Sequence, residues 1–210
     1  MANHAKPATP AELLRLALEG DRESLEQLLA SYCGYLYVLS RAHLDRRIHH
    51  RVSPSDIVQE TLLEAHRDIA NFRGTDIEEF TGWLRQALVH NIAHAVGAHM
   101  LAAKRSVRRE QVIGNVSASI EQSHQGLSSL AVDQERSPAS EMGHQESLSE
   151  LASALDQLAP DHQMVIMLRH LQGLGFAEVA KRMERSPGAV RMLWLRAIEQ
   201  LRLAMETRSC

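Results

Sequence analysis

Phe80, Leu84, Leu88, Ile92 and Val96 recur every four residues, and no segment alternates apolar and polar residues for long enough to make a strand. The recurrence lays one apolar stripe along a helix. Without alternating strands, a core must be built by packing helix on helix, so the spacing predicts an all-α protein. The start signals agree. Thr9-Pro10-Ala11-Glu12 and Ser53-Pro54-Ser55-Asp56 each place a hydroxyl cap, then proline, then a carboxylate at the third helical position. Leu13, Leu14, Leu16, Ala17 and Leu18 follow the first signal; Ile57, Val58, Leu62, Ala65 and Ile69 follow the second. Between them, Gly20-Asp21 ends one helix and starts another that carries Leu25, Leu28, Leu29 and Tyr32. Asn71-Phe72-Arg73-Gly74 stops the third helix, and a fourth is expected from about Glu78 past Val96.

A chain of 210 residues that is 44% hydrophobic can bury one full core or two small ones, which excludes wholesale disorder. Aromatics at 4% argue against a large sandwich or barrel. Two cysteines, Cys33 and Cys210, build neither a disulfide framework nor a zinc finger, so a reducing, cytoplasmic setting is expected. Cys33 lies in the tyrosine-rich stretch Ser31 to Tyr35 and is expected in the core. No apolar run approaches the roughly 20 residues that span a bilayer. Met1 to Pro10 lacks the charged-then-apolar pattern of a secretion signal.

Charge divides the chain. Residues 1–110 carry 14 basic and 14 acidic side chains, residues 111–161 carry 1 basic and 8 acidic, and residues 162–210 carry 8 basic and 4 acidic. Serine, glutamine, glycine and acidic residues dominate from Gln111 to Gln145, with Ser137-Pro138 inside. That composition predicts an acidic, flexible linker over 111–147. It joins a helical domain over 1–110 to a second over 148–210. An acidic tether beside a basic tail also suggests a closed form in which the tether covers the basic helix.

The second domain has the proportions of a helix-turn-helix. Phe176 to Met183 makes a short helix, Glu184-Arg185 a turn, and Ser186-Pro187 caps a longer helix to about Met205. On that last helix Val190, Leu193, Trp194, Ala197 and Leu201 share an inward side. Gly188, Arg191, Met192, Leu195, Arg196, Glu199 and Arg202 share the outward one. Small and basic residues at its start suit DNA, since arginine bonds phosphates or guanine edges and free amides favour a phosphate. Lys181, Arg182 and Arg185 sit where backbone contacts are expected. The plainer reading is an ordinary bundle with solvated arginines.

On the fourth helix, Trp83, Ala87, His90 and His94 fall on a stripe apart from the core. A tryptophan beside polar residues suits stacking on unpaired bases, although covering a neighbouring helix would also explain it. His90, His94 and His99 have helical spacing for a metal, but no carboxylate or cysteine lies nearby in sequence to complete a ligand set, so no metal is expected. Lys104 to Arg109 reads as a solvated helix end or a phosphate contact. No glycine loop for phosphates and no nucleophile elbow is present. No catalytic residue and no cofactor is therefore expected.

These features together resemble a bacterial RNA polymerase sigma factor of the extracytoplasmic-function type. The resemblance rests on Ser55 to Thr61 (SDIVQET), Phe72-Arg73-Gly74 and Trp83-Leu84-Arg85-Gln86. In the second domain it rests on Leu158-Ala159-Pro160-Asp161, Leu168-Arg169-His170-Leu171, Gly175 to Ala180 and Ser186 to Arg191. Together they run in order through nearly the whole chain. The resemblance implies that the first domain binds the polymerase clamp and opens the minus-ten promoter element. The second would read the minus-thirty-five element against the polymerase flap, with the linker threading toward the active centre. It places Asp56, Gln59 and Glu60 on the clamp, and Phe80 and Trp83 on the melting helix with His90, Asn91 and His94. It places Lys181, Arg182, Ser186, Gly188, Arg191 and Arg196 on the minus-thirty-five DNA. Core polymerase, promoter DNA and an anti-sigma protein are the implied partners; no membrane is.

Three positions depart from the family pattern. His90 stands where the family has asparagine, with Asn91 next to it. Gly175 stands where serine or threonine often caps the helix-turn-helix. Leu193 replaces a basic residue. Two other function classes compete: a stand-alone helix-turn-helix regulator binding operator DNA as a dimer, which would not need the Asp56–Glu60 segment, and a metal-dependent hydrolase using the histidines.

Overall fold

The computed structural model describes residues 8–43, 52–100, 107–134 and 141–206. Among them are nine α-helices: α1 (Pro10–Leu18), α2 (Arg22–His43), α3 (Pro54–Asp68), α4 (Ile77–Met100), α5 (Val107–Gln134), α6 (Glu141–Gln157), α7 (Pro160–Ile166), α8 (Phe176–Arg182) and α9 (Pro187–Glu206). A 3-10 turn, Ile69–Asn71, ends α3, and a π-turn, Met167–Leu171, ends α7. No strand occurs among the described residues.

Both start signals form capping boxes. Thr9 Oγ1 accepts from the Glu12 amide at 3.3 Å while Glu12 accepts from the Thr9 amide at 2.8 Å. Ser53 and Asp56 repeat the exchange at 3.1 and 3.0 Å, which is why α3 begins at Pro54. Hydrogen bonds from the Ser53 amide and then its side chain hold the Asp56 carboxyl below its ordinary range. The first half of the chain packs around α2. Leu28, Tyr32, Tyr35, Leu36 and Leu39 are fully buried there, with Phe80, Leu84, Leu88 and Ile92 of α4. Tyr32 meets Phe80 edge-on at 5.5 Å, and Phe80 meets Phe72 edge-on at 5.5 Å. Thr81 Oγ1 donates to the Ile77 carbonyl, so the Tyr32 hydroxyl is the donor in the 2.8 Å bond between them.

Two sequence expectations need correction. Cys33 is exposed. The stripe of α2 passes through Tyr32 and Leu36, and a step of one residue turns Cys33 well off it. It opens instead onto a groove of about 530 Å³ between α2, α3 and α6. The flexible linker is the second. Residues 111–134 belong to α5, and residues 141–147 belong to α6. Ile120, Leu127, Leu130 and Ala131 are buried, and Ser123 takes a place on the same stripe. A thin apolar stripe at helical spacing is thus enough once α2, α4 and α6 lie against it. Ser137-Pro138, Lys104-Arg105 and Cys210 lie outside the described residues.

Helix α6 packs on both α2 and α9, and α5 packs on the π-turn, so the two halves are in contact. The outward side of α9 stays exposed at Arg191, Met192, Leu195, Arg196, Glu199 and Arg202. The acidic segment therefore does not cover the basic helix among the described residues.

Candidate nucleic-acid interface

Helix α9 presents the basic surface. Ser186 Oγ accepts from the Ala189 amide at 3.2 Å, so the serine caps the helix at its exposed start. Gly188 is exposed, and a Cβ there would meet nothing within 4 Å, which leaves room for another molecule to approach the backbone. Val190, Ala197 and Leu201 are fully buried, and Leu193 and Trp194 are half-buried, as the helical wheel requires. Trp194 locks the helix in rotation. Its Nε1 donates to His170 Nε2 at 2.9 Å, and the rings stack with centroids 6.0 Å apart. Trp194 also meets Phe176 edge-on at 5.6 Å.

Phe176 has a second role that the sequence did not signal. The Arg191 guanidinium lies 5.6 Å from its ring centroid, and Arg169 lies 5.1 Å from it. The ring is a shelf that pre-orders Arg191 while leaving it exposed. Lys181 and Arg182 also lie exposed at the end of α8. Lys181 is 3.7 Å from Glu178, and Arg182 donates to Gln172 Oε1 at 2.6 Å. Arg185 pairs with Asp161. Arg196 is exposed on the same side as Arg191. Between them Met192 and Leu195 are each 52% exposed, giving the basic surface an apolar centre. The turn that joins α8 to α9 places Glu184 at φ 53°, a conformation more often held by glycine. Gly175 starts α8 without a side-chain cap, as its identity implies.

Helix α4 presents a different surface. Phe80 is wholly buried, so it cannot touch DNA in this conformation; it supports Trp83, 5.7 Å away, together with Phe72 at 5.5 Å. Trp83 is half-buried on that support, and His90 and His94 are exposed farther along the helix. Asn91 is turned elsewhere. Its Nδ2 donates to Thr61 Oγ1 and Glu64 Oε2 of α3 at 3.1 and 3.0 Å. No group of three or more His, Cys, Asp and Glu among the described residues could hold a metal.

On α3, Asp56, Gln59 and Glu60 are exposed on one side. Leu63, 67% exposed, lies one turn beyond them. A leucine so placed beside an amide and carboxylates makes an exposed edge of mixed polarity, and the sequence reading had not singled it out.

The chain is similar to several known proteins. Residues 148–201 match the family model for sigma-70, region 4. Over 206 residues the chain is 28% identical to the ECF RNA polymerase sigma factor BldN of Streptomyces coelicolor, covering 94% of this chain and 69% of that one. It is 25% identical over 197 residues to the ECF RNA polymerase sigma-E factor of Haemophilus influenzae, covering 94% and 95%. It is 24% identical over 195 residues to the RNA polymerase sigma-H factor of Pseudomonas aeruginosa, covering 93% of each. A chain in the 1.8 Å structure of the RsbN–BldN complex is 24% identical, covers 90% of this chain and 96% of its own, and has a TM-score of 0.29. The matched residues run from α6 to α9 and include the helix-turn-helix of α8 and α9. Over nearly its whole length the chain is similar to RNA polymerase sigma factors of the extracytoplasmic-function type.

Proposed function

We propose that this chain is a promoter-specificity subunit that binds core RNA polymerase and directs initiation through two DNA contacts. Residues 1–110 dock on the clamp and melt the minus-ten element. Residues 148–210 read the minus-thirty-five element against the flap, and residues 111–147 connect them. The observation that carries this reading is one chain exposing both a capped, arginine-bearing recognition helix and, on α3, the edge formed by Gln59, Glu60 and Leu63. A stand-alone regulator would have no use for that edge.

Asp56, Gln59 and Glu60 supply carboxylates and an amide for arginines of the clamp, with Leu63 as the apolar anchor. Trp83, raised on Phe72 and Phe80, stacks on an unpaired base, and His90 and His94 line the path of the melted strand. Asn91 holds α4 to α3. At the other DNA element, Arg191 and Arg196 reach base edges or phosphates. Ser186 and Gly188 let the backbone approach, and Lys181 and Arg182 hold the flanking phosphates. Melting is driven by binding, because captured bases offset lost stacking. The chain makes and breaks no covalent bond; that chemistry belongs to the polymerase.

No helix among the described residues is long and apolar enough to cross a membrane. The partners named here place the chain in the cytoplasm, where an anti-sigma protein would complete the set. The test is co-elution with core polymerase from the source organism, followed by transcription from a mapped promoter. Co-elution near one to one and a specific start are expected. A chain that ignores its own core polymerase but binds operator DNA as a dimer would overturn the reading.

A further inference from the structure

Ion pairs divide the cations around the helix-turn-helix into two groups. Those beside the recognition helix are paired. Glu178 stands in the first turn of α8, 3.7 Å from the Lys181 ammonium and 4.0 Å from Arg182 Nε one turn later. Arg185 pairs with Asp161, in the first turn of α7. The left-handed backbone of Glu184 makes that second pair possible. It reverses the chain, so the Arg185 amide donates to the Ala180 carbonyl at 3.0 Å and the side chain returns toward α7. Arg191 and Arg196 form the other group. Among the described residues neither stands in an ion pair, and Arg191 rests on the Phe176 ring instead.

The paired side chains are 43–78% exposed. Ion pairs so wet add little to stability. They do bear on what the cations can give to another molecule. A cation that meets a DNA phosphate must first leave its carboxylate. The contact then yields the difference between two ion pairs rather than a whole one. Phosphate contacts grip any sequence, whereas discrimination comes from base edges. The carboxylates therefore oppose the cations that grip and spare the cations on the recognition helix.

We propose that Glu178 and Asp161 are affinity-setting residues. They hold Lys181, Arg182 and Arg185 against counter-charges of the chain's own, so that DNA of every sequence is gripped less tightly. Discrimination through Arg191 and Arg196 is untouched. This rests on the reading under Proposed function.

The test uses core polymerase loaded with the full-length chain, titrated with a promoter duplex and a random duplex of equal length at several salt concentrations. Glu178→Gln and Asp161→Asn keep the shape and remove the charge. Each should tighten binding to both duplexes by the same factor, threefold or more at low salt, with the gain shrinking as screening rises. Glu178→Asp keeps the charge and should bind like wild type. Glu26→Gln makes the same charge change at an exposed position of α2 and should give no gain. Glu178→Gln should also give none in a chain that carries Lys181→Ala and Arg182→Ala.

No gain from either amide variant overturns the proposal. So does a gain confined to the promoter duplex, or one that survives the loss of Lys181 and Arg182. Both carboxylates also favour the start of their helices, so a second route avoids amide variants that fold poorly. Lys181→Ala should weaken binding to the random duplex less than Arg196→Ala does, because a paired cation gives less; a larger loss overturns the proposal. Wild-type chain that shows no preference for the promoter duplex sinks the specificity-subunit reading instead, while the gain on random DNA still judges the carboxylates.

Discussion

The Asn91 amide donates to Thr61 Oγ1 at 3.1 Å, which faces it into the seam between α4 and α3 while its neighbour His90 faces out. Thr61 in turn is fully buried and donates to the Ile57 carbonyl. The two adjacent polar residues therefore have separable roles. Asn91→Ala should lower stability by about 1–2 kcal/mol, because a buried acceptor loses its donor. His90→Ala should leave the melting temperature within a degree or two and instead slow promoter opening, read by permanganate reactivity of unpaired thymines. A His90→Ala chain that opens the promoter as fast as wild type would remove His90 from the melting surface.

Asp56 and Glu60 share the edge proposed to dock on polymerase, but only Asp56 also caps its helix. Glu60→Lys should weaken binding to core polymerase by about tenfold or more with no change in thermal unfolding. Asp56→Lys should do both harms at once, since it removes the acceptor for the Ser53 amide. Titrating core binding by fluorescence anisotropy beside thermal melts separates the two effects. Equal losses of stability in both variants would mean that Glu60 supports the fold.

Arg191 stands on the Phe176 ring, so its two contacts can be told apart by substitution. Arg191→Ala should weaken specific promoter binding by about 1–3 kcal/mol if it reads a base. Phe176→Leu keeps the apolar volume and removes the shelf, and should reproduce a fraction of that loss. Binding to random DNA is the control: an equal loss there would make Arg191 a phosphate contact.

His43 gives the molecule a pH signature. Burial lowers its pKa from 6.5 to about 4. Between those values the unfolded chain binds a proton that the folded chain refuses. Stability is therefore complete above pH 6.5 and falls as the pH drops toward 4, by about 3 kcal/mol. Urea unfolding at several pH values should show this slope, and His43→Gln should flatten it. An unchanged slope in the variant would assign the acid sensitivity to another group.

The caps of α1 and α3 and the two sides of α9 were legible because each depends on residues within a turn or two of one another. Helix α5 was not, because its apolar positions are thinly spread and Ser123 holds a place where a leucine would have announced a stripe. Its partners, Tyr35, His43 and His170, lie far away in sequence. Cys33 misled for the opposite reason: its neighbours are apolar, but one residue of rotation separates it from Tyr32. Asn91 and Phe80 were placed correctly on α4, yet what they face is decided by α3 and by Phe72. The shelf under Arg191 needs a ring from another helix, which no local pattern foretells.

The π-turn at Met167–Leu171 is a wide loop of helix, and it sets a phase. Each extra residue in a helix rotates everything after it by about 100°. The π-turn delivers the Leu171 carbonyl to Ser123, the His170 carbonyl to Gly126 and the His170 ring to Trp194. Removing one residue from it would leave every later helix intact in composition but out of step. Length at this point is therefore information. Among relatives of this chain, insertions and deletions should cluster in the connections between helices and spare these five positions.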